Sequence, residues 1–322
     1  MLSSAVCSYT DVESYANAMP INKIDLHITQ RGEFKARTTL ITFHDLWMQR
    51  FSDNLSRVTH AALAPGRAII SFRTRPGPDL FWSGQKMQTT SILRHNDGSS
   101  CFQRSSGSAS WGSMSLPIGM VDGTLATLVG RDLTLPREPV TLVPSPAAMA
   151  QLQHLHAACG VLAEDAPELL ANPEAARGIE QALIAAMANC LGGAEDRDER
   201  EGRRLHANVM ARFRSIVEAN ADRALYMAEI SAAIGVSGRT LRNCCREHLG
   251  MGANHYLMLR RMHLAHRALR RSTPDATTVT EAATRYGFWE LGRFAVGYKS
   301  LFGEMPSQTL RRQRGSTAGV NG

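Results

Sequence analysis

The chain has few cysteines, no long apolar run and no export signal. Its six cysteines include no C-x-x-C pair and no histidine partners at zinc-like spacing, which argues against a disulfide scaffold or a structural zinc module. The first twenty residues lack the basic and apolar regions of a signal peptide. No apolar run reaches the length of a membrane span. We therefore expect a cytoplasmic protein without a membrane partner.

Catalytic signatures are also scarce. The serine-rich segment 98–115 contains no G-x-S-x-G motif, and we interpret it as a loop or an edge. His27, His44, His60 and His95 are scattered along the chain, without the close pairing of a metal site. A facial triad whose ligands converge from distant positions stays open, although ordinary polar strand positions are the simpler interpretation. We expect no catalytic residue, no metal and no cofactor.

Positive charge is concentrated in the C-terminal part of the chain. The sequence has 36 Lys and Arg residues against 29 Asp and Glu, a formal net charge of +7. Residues 202–322 hold 19 basic and 8 acidic residues, whereas residues 1–201 hold 17 and 21. A basic region beside a slightly acidic one is typical of a nucleic-acid-binding module attached to a different domain.

Residues 227–250 have the pattern of a helix-turn-helix unit. Ile230 and Ile234 share one helix face, and the following Gly235-Val236-Ser237 supplies a left-handed turn and a helix cap. An apolar face then resumes, and a polar face lies opposite it, as in a helix that enters the DNA major groove. The residues expected to contact bases are Arg239, Thr240, Arg242 and Asn243, and those expected to contact phosphates are Ser237 and Arg246. The alternative is a solvated basic helix face.

A second unit follows at residues 279–307. Ala282, Ala283 and Tyr286 form an apolar stripe, Gly287 interrupts the helix, and Phe294, Tyr298 and Phe302 follow at helical spacing. The residues expected to contact bases here are Leu291, Arg293 and Val296, and those expected to contact phosphates are Lys299 and Arg311. Because this face is less basic, we expect it to be the weaker base-contacting surface.

An uninterrupted helix is predicted between the two units, over residues 253–271. Nineteen residues span roughly 28 Å at 1.5 Å each, and successive major grooves on one face of DNA lie roughly 34 Å apart. A single chain is therefore predicted to contact two adjacent groove segments.

The C-terminal third of the chain resembles the DNA-binding domain of the AraC/XylS family of transcription regulators. The resemblance rests on both units and the connecting helix in register. The residues that carry it are Gly235-Val236-Ser237, Leu241, Arg261-Met262, Ala265, Leu269, Tyr286-Gly287-Phe288, Phe294, Tyr298-Lys299, Phe302-Gly303 and Met305-Pro306-Ser307. Ser231, Cys245 and Arg293 depart from the usual pattern of the family, and the first two suggest a looser first unit.

The first half of the chain alternates short β-like runs with turn formers. The predicted strands are Phe34–Trp47, Arg57–Leu63, Ala68–Thr74, Leu80–Trp82, Thr89–Leu93 and Leu125–Val129. This spacing is typical of an antiparallel sandwich or barrel. Two amphipathic helices are predicted at residues 147–162 and 173–191. If the β region encloses a pocket, its apolar walls are expected to be Trp47, Phe72, Phe81, Trp82 and Trp111; the alternative for each is an ordinary core position.

The fold class expected is therefore α+β. It comprises an N-terminal domain (1–192, β-rich at 22–143 and helical at 147–192), a charged linker (193–201) and an all-α domain of two helix-turn-helix units (202–315). The resemblance implies a sequence-specific transcription regulator whose N-terminal domain binds a small effector. Expected partners are double-stranded promoter DNA, RNA polymerase and a second copy of the chain through 147–192. Two alternatives stay open: a DNA-tethered enzyme using a reactive thiol, with Cys101 beside Arg104 as candidate, and an architectural binder without sequence preference.

Overall fold

The chain forms a β-rich N-terminal part and a helical C-terminal part in a computed structural model. The structure describes residues 2–20, 23–98, 100–130, 133, 135–136, 138–193, 195–196, 201–220 and 223–312. It divides into two compact units. The sheet unit comprises residues 1–26, 34–55 and 59–199, and the helical unit comprises residues 27–33, 56–58 and 200–322. The α+β fold class predicted from the sequence is confirmed.

Thirteen strands in the described part of the chain form two antiparallel sheets. The strands are β1 (Ser3–Tyr9), β2 (Lys23–Ile28), β3 (Ala36–Thr42), β4 (Trp47–Asp53), β5 (Arg57–Ala62), β6 (Arg67–Arg73), β7 (Leu80–Trp82), β8 (Gln85–Lys86), β9 (Ile92–Arg94), β10 (Ser100–Ser105), β11 (Ala109–Pro117), β12 (Val140–Val143) and β13 (Glu195–Asp196). One sheet has eight strands in the order β1-β3-β4-β11-β6-β9-β12-β13. The other has five, in the order β2-β5-β10-β7-β8.

The expectation of a loop or edge at residues 98–115 is wrong. Strand β11 lies in the middle of the eight-stranded sheet, paired with β4 on one side and β6 on the other. Serine alternates there with apolar residues: Met114 and Leu116 enter the hydrophobic core, and the intervening Ser113 and Ser115 line a cavity. The serines therefore mark a buried polar lining rather than a solvent-exposed loop.

Two further strand predictions need correction. The run Phe34–Trp47 is not one strand, because a tight turn separates β3 from β4 and Phe43 N donates to Leu46 O at 2.9 Å. The run Leu125–Val129 is helical: a π-helical turn at Val121–Leu125 leads into a short helix at Ala126–Val129. Val121 and Leu125 are four residues apart and both are buried in the core, so the apolar residues of this segment form one face of a helix.

The helices described are α1 (Val12–Asn17), α2 (Ile118–Met120), α3 (Ala126–Val129), α4 (Pro146–Asp165), α5 (Pro167–Ala171), α6 (Pro173–Gly192), α7 (Glu201–Ala219), α8 (Met227–Ile234), α9 (Gly238–Leu249), α10 (Ala253–Arg271), α11 (Val279–Arg285), α12 (Leu291–Phe302) and α13 (Pro306–Arg311). Local capping explains where the two long helices of the sheet unit begin. Ser145 Oγ accepts from Ala148 N at the start of α4, and Asn172 Oδ1 accepts two backbone N–H groups at the start of α6.

Helices α4 and α6 cover the eight-stranded sheet with a buried apolar stripe that includes Leu152, Leu183 and Met187. A buried polar contact fixes α4 on the sheet: Arg50 Nη1 donates to His156 Nδ1 at 2.8 Å. His156 Nε2 donates in turn to the Gln49 carbonyl at 3.1 Å. Burial, reinforced by Arg50, lowers the pKa of His156 to about 3, which keeps the ring neutral.

Close packing at this point requires a glycine on β11. A Cβ at Gly112 would lie 2.3 Å from His156 Cε1, so no side chain fits between the strand and the helix. Glu180 of α6 accepts the backbone N–H groups of Asp45 and Leu46 at 2.7 and 2.9 Å and thereby holds the turn between β3 and β4.

Much of the linker predicted at 193–201 lies outside the described residues, as does the tail from 313 onward, and that linker stays a prediction. None of the described helices is long and apolar enough to cross a lipid bilayer.

Candidate nucleic-acid interface

The first helix-turn-helix unit is built by two capped helices. Helix α8 ends at Gly235, whose φ of 73° is left-handed, and α9 begins at Ser237, whose hydroxyl accepts from Thr240 N at 3.1 Å. Helix α9 buries Leu241, Cys244 and Cys245. The two thiols are free, and burial raises the pKa of Cys244 to about 11 and of Cys245 to about 12, consistent with packing rather than reactivity.

The opposite face of α9 is polar and exposed. It carries three arginines and one asparagine: Arg239, Arg242, Asn243 and Arg246. None of these side chains has an ion pair or hydrogen bond with any residue that the structure describes. Thr240 is half-buried and its hydroxyl lies 2.9 Å from Ser237 Oγ, so both hydroxyls take part in the helix cap. The structure thus places the predicted first-unit residues along α9, from its N-cap at Ser237 to its last turn at Arg246.

The second unit has the same plan with different details. Thr278 and Glu281 form a reciprocal capping box at the start of α11. Gly287, with a φ of 77°, then makes the turn toward α12. Helix α12 buries Phe294 and Tyr298.

The polar and apolar groups on the exposed face of α12 differ from those on α9. Leu291, Arg293, Val296 and Lys299 are all exposed, as the sequence predicts for contact residues. Arg293 donates to Glu290 Oε1 at 3.1 Å, an ion pair in which both side chains are largely exposed. Such a pair contributes at most about 1 kcal/mol, so another partner of Arg293 can replace it at small cost. The i,i+3 spacing of Glu290 and Arg293 was visible in the sequence, but the prediction did not use it.

A short helix, α13, is tied to α12 by a chain of hydrogen bonds. Tyr298 Oη donates to Thr309 Oγ1 at 2.7 Å, and Thr309 Oγ1 donates to Glu304 Oε1 at 2.8 Å. Burial raises the pKa of the Tyr298 hydroxyl well above its usual range, so the hydroxyl stays a donor. Arg311, the predicted phosphate contact of this segment, is exposed at the end of α13.

Helix α10 joins the two units, with the bounds predicted from the sequence. Its Arg260 is buried and donates to three backbone carbonyls, which fix the chain between α7 and α8. Its Arg261 lies between the rings of Tyr226 and Phe288 and donates to the Gly287 carbonyl at 3.2 Å. One guanidinium therefore contacts the start of α8 and the turn that precedes α12, and it limits the movement of one unit against the other.

The sheet unit contains an apolar cavity with about 790 Å³ of space, part of it open to solvent. Of the five residues predicted as pocket walls, Trp47, Trp82 and Trp111 line it. Phe72 lies in the core, and Phe81 carries the Arg104 guanidinium 3.4 Å above its ring.

The cavity has polar lining residues that the sequence reasoning missed. Among them are Gln49, Arg67, Ser71, His95, Ser113 and Ser115. They follow the period of two along the strands: Trp47, Gln49 and Phe51 on β4, and Trp111, Ser113 and Ser115 on β11. That alternation was visible in the sequence and would have grouped these positions on one sheet face.

The lining holds one cation and one buried donor that lacks a partner. Arg67 donates to the carbonyls of Asp45 and Ser115 and to Ser115 Oγ, and its guanidinium lies 3.9 Å from the ring centre of Trp47. Trp111 Nε1 is buried and has no hydrogen-bond partner among the described residues. The lining residues include no aspartate or glutamate within the described ranges. The cavity therefore presents the Arg67 cation and one unpaired donor, Trp111 Nε1.

The other titratable groups of the cavity are neutral or buried. Burial lowers the pKa of His95 to about 4, and His95 Nε2 lies 3.0 Å from Ser71 Oγ. Cys101, the thiol of the enzyme alternative, is 5% exposed in the cavity wall, whereas a catalytic thiol needs access to its substrate. Among the described residues, no cluster of three or more His, Cys, Asp or Glu is arranged to hold a metal ion.

Comparison with known proteins gives matches in the helical unit. A family model described as a helix-turn-helix domain matches residues 230–312. The chain is 40% identical over 95 residues to a probable thc operon regulatory protein of Rhodococcus erythropolis, covering 30% of this chain and 29% of that protein. It is 34% identical over 96 residues to the XylDLEGF operon transcriptional activator of Pseudomonas putida, covering 30% of each. The chain thus matches about a third of the length of each of these relatives.

One solved structure matches the same third of the chain. It is the crystal structure of a probable AraC family transcriptional regulator from Rhodopseudomonas palustris, with 35% sequence identity. The match covers 33% of this chain and 96% of that one, with a TM-score of 0.29.

Proposed function

We propose that the protein is a transcription regulator of the AraC/XylS type that binds promoter DNA sequence-specifically through α9 and α12. The helix-turn-helix domain that matches residues 230–312 supports this proposal. The observation that carries this proposal is the exposed face of α9. Three arginines and an asparagine are exposed there, with no ion pair or hydrogen bond to any described residue, on a helix whose other side is packed and capped. Arginine pairs with guanine O6 and N7, and asparagine pairs with adenine N6 and N7.

Each predicted contact residue has a role in this proposal. Arg239, Thr240, Arg242 and Asn243 contact bases in the first groove segment, and Leu291, Arg293 and Val296 contact bases in the second. Ser237, Arg246, Lys299 and Arg311 contact phosphates, which position the domain without distinguishing sequences. RNA polymerase and a second copy of the chain through 147–192 stay predictions.

A selection of binding sites from random duplexes, with the full-length protein at physiological salt, tests the proposal. We expect enrichment of a site whose two parts lie about one helical turn apart. Replacing Arg242 by Ala should relax base preference at one position of the first part. Equal affinity for unrelated duplexes would instead support the architectural alternative and would contradict the proposal.

We further propose that the cavity of the sheet unit binds the small effector. Its walls of Trp47, Trp82 and Trp111 suit a flat apolar body. The Arg67 guanidinium and Trp111 Nε1, a buried donor without a partner among the described residues, suit a ligand that carries acceptor oxygens, because leaving a buried donor unpaired costs about 1–3 kcal/mol. We therefore expect an apolar molecule with a carboxylate or similar acceptor group.

Intrinsic fluorescence provides a direct test, because three of the four tryptophans of the chain line the cavity. A panel of aromatic and aliphatic carboxylates, each matched with its neutral primary amide, should include acids that change the emission of a Trp289→Phe variant, which lacks the fourth tryptophan. Arg67→Met keeps apolar bulk and should weaken the acid more than its amide. A panel in which no acid binds more tightly than its amide would contradict the assignment.

A further inference from the structure

An exposed apolar patch lies on the second helix-turn-helix unit. Among the described residues, three of the eight exposed large hydrophobic side chains fall within residues 289–296: Trp289, Leu291 and Val296. Trp289 is 76% exposed and Val296 is 73% exposed. A tryptophan this exposed is uncommon in a soluble domain, and clustered apolar side chains on a surface usually mark a contact with a partner.

The turn before α12 enforces the exposure of Trp289. Phe288 packs toward the core, with its ring 4.9 Å from that of Phe294, and the backbone then directs the next side chain outward. Gly287 sets this arrangement through its left-handed φ, and Arg261 holds its carbonyl. These contacts fix the backbone just before Trp289, whose side chain is exposed.

The charge around the patch favours DNA as its partner. Arg293 and Val296 are three residues apart on α12, so they share a face in its N-terminal half, and Trp289 lies two residues before the first residue of that helix. Arg293 and Lys299 place positive charge beside the apolar groups. In the major groove, phosphates line the rims and the thymine C5-methyl is the apolar group on the floor. A face that combines cations with a bulky apolar side chain matches that surface.

We propose that Trp289 and Val296 contact thymine methyl groups in the part of the site bound by the second unit, and that Trp289 is thereby a specificity-determining residue. This inference rests on the proposed DNA-binding function and adds a residue to it. It also assigns the two units different chemistry: hydrogen bonds and charge in the first, apolar contact in the second.

Uracil substitution tests the proposal, because uracil differs from thymine only by the missing methyl. Each thymine of the selected site is replaced singly by uracil, and the affinity of the full-length protein is measured. Burial of one methyl is worth about 0.8 kcal/mol, which corresponds to about a fourfold change in Kd. We expect such losses at one or two thymines of the second part of the site, and smaller ones in the first part.

A variant cycle assigns the effect to Trp289. The Trp289→Ala variant should bind the thymine duplex at least fourfold more weakly and should no longer distinguish it from the uracil duplex. Leu169→Ala, which removes an exposed apolar side chain of the sheet unit, is the matched control and should leave both affinities unchanged. Since Trp289 is exposed, its replacement should not alter the thermal unfolding midpoint, which is measured alongside.

Two outcomes overturn this inference while leaving the proposed function intact. In one, Trp289→Ala lowers the affinity for the thymine and uracil duplexes equally, which would mean that the side chain does not contact a methyl. In the other, Trp289→Ala leaves the affinity for both duplexes unchanged, which would point to a protein partner for the patch. Failure of the proposed function has a different signature, since the wild-type protein would then select no site at all.

Discussion

Helices α9 and α12 have the same length and the same place in their units, yet their exposed faces differ. Each has twelve residues and each follows a turn with a left-handed glycine. Helix α9 is capped by Ser237 and carries unpaired arginines, whereas α12 has Glu290 at its N-cap position, paired with Arg293, and apolar groups beside it. Two helices with the same position in their units therefore expose different side chains. Substitutions at the turn glycines, at the arginines and at Glu290 test this comparison.

The largest difference should appear in the loss of stability when each of the two turn glycines is replaced by Ala. At Gly287 a Cβ would lie 2.6 Å from Tyr226 Oη and 3.0 Å from Arg261 Nη1, whereas at Gly235 nothing lies within 4 Å. Both substitutions by Ala carry the left-handed backbone penalty of about 1–2 kcal/mol, and Gly287→Ala in addition requires the Tyr226 hydroxyl and the Arg261 guanidinium to move away from the new Cβ. Urea unfolding of the full-length variants should therefore rank Gly287→Ala as the less stable. Equal urea midpoints for the two variants would mean that the contacts of Arg261 and Tyr226 at Gly287 do not constrain the second unit.

The next largest difference should appear in the DNA-binding affinity that is lost when Arg242 or Arg293 is replaced by Ala. Arg242→Ala removes an unpaired guanidinium and should cost about 1–3 kcal/mol of specific binding. Arg293→Ala should cost less, because Arg293 must first leave Glu290 before it can contact a base. Affinities for the selected site, measured in one buffer, check the order. If Arg293→Ala cost more than Arg242→Ala, the first unit would not be the stronger base-contacting surface.

Salt dependence separates phosphate contacts from apolar ones. Arg246→Ala and Lys299→Ala should each reduce the slope of log affinity against log salt by about one, because one phosphate contact is lost. Trp289→Ala should lower affinity with the slope unchanged. Titrations at four or more salt concentrations check this, and a changed slope for Trp289→Ala would point to an indirect effect on the charged residues.

The smallest effect is expected at Glu290. Glu290→Gln removes the carboxylate that pairs with Arg293 and also removes a negative charge near the DNA. Affinity should rise by a factor of a few, since an exposed pair is worth at most about 1 kcal/mol. Glu229→Gln, at an exposed carboxylate on α8, is a matched charge control. An unchanged affinity for Glu290→Gln would indicate that the ion pair does not compete with DNA.

The sequence predicted the helical unit closely because its signals are local. A capping serine, a turn glycine and an apolar stripe each act within one or two helical turns, so the helix between Ala253 and Arg271 was identified with its observed bounds. The ion pair of Arg293 with Glu290 is local too, and its i,i+3 spacing was a signal that the prediction did not use.

The sheet unit was harder to predict because its determinants are distant in sequence. Strand β11 is placed by β4 and β6, which lie far from it in the chain, and its serines looked like loop residues in isolation. His156, on a helix, requires the glycine at position 112 on a strand. Phe72 and Trp111 are both aromatic strand residues, and only the sheet topology decides which of them lines the cavity.

Chemical interference on the selected site would test the central claim most directly, namely that two units on one chain contact DNA by different chemistry. Guanines are methylated at N7 and thymines are replaced by uracil, one position at a time, and bound duplexes are separated from free ones. Our account predicts two groups of sensitive positions about one helical turn apart, one dominated by guanine N7 and the other by thymine methyls. A single group, or the same chemistry in both groups, would contradict it.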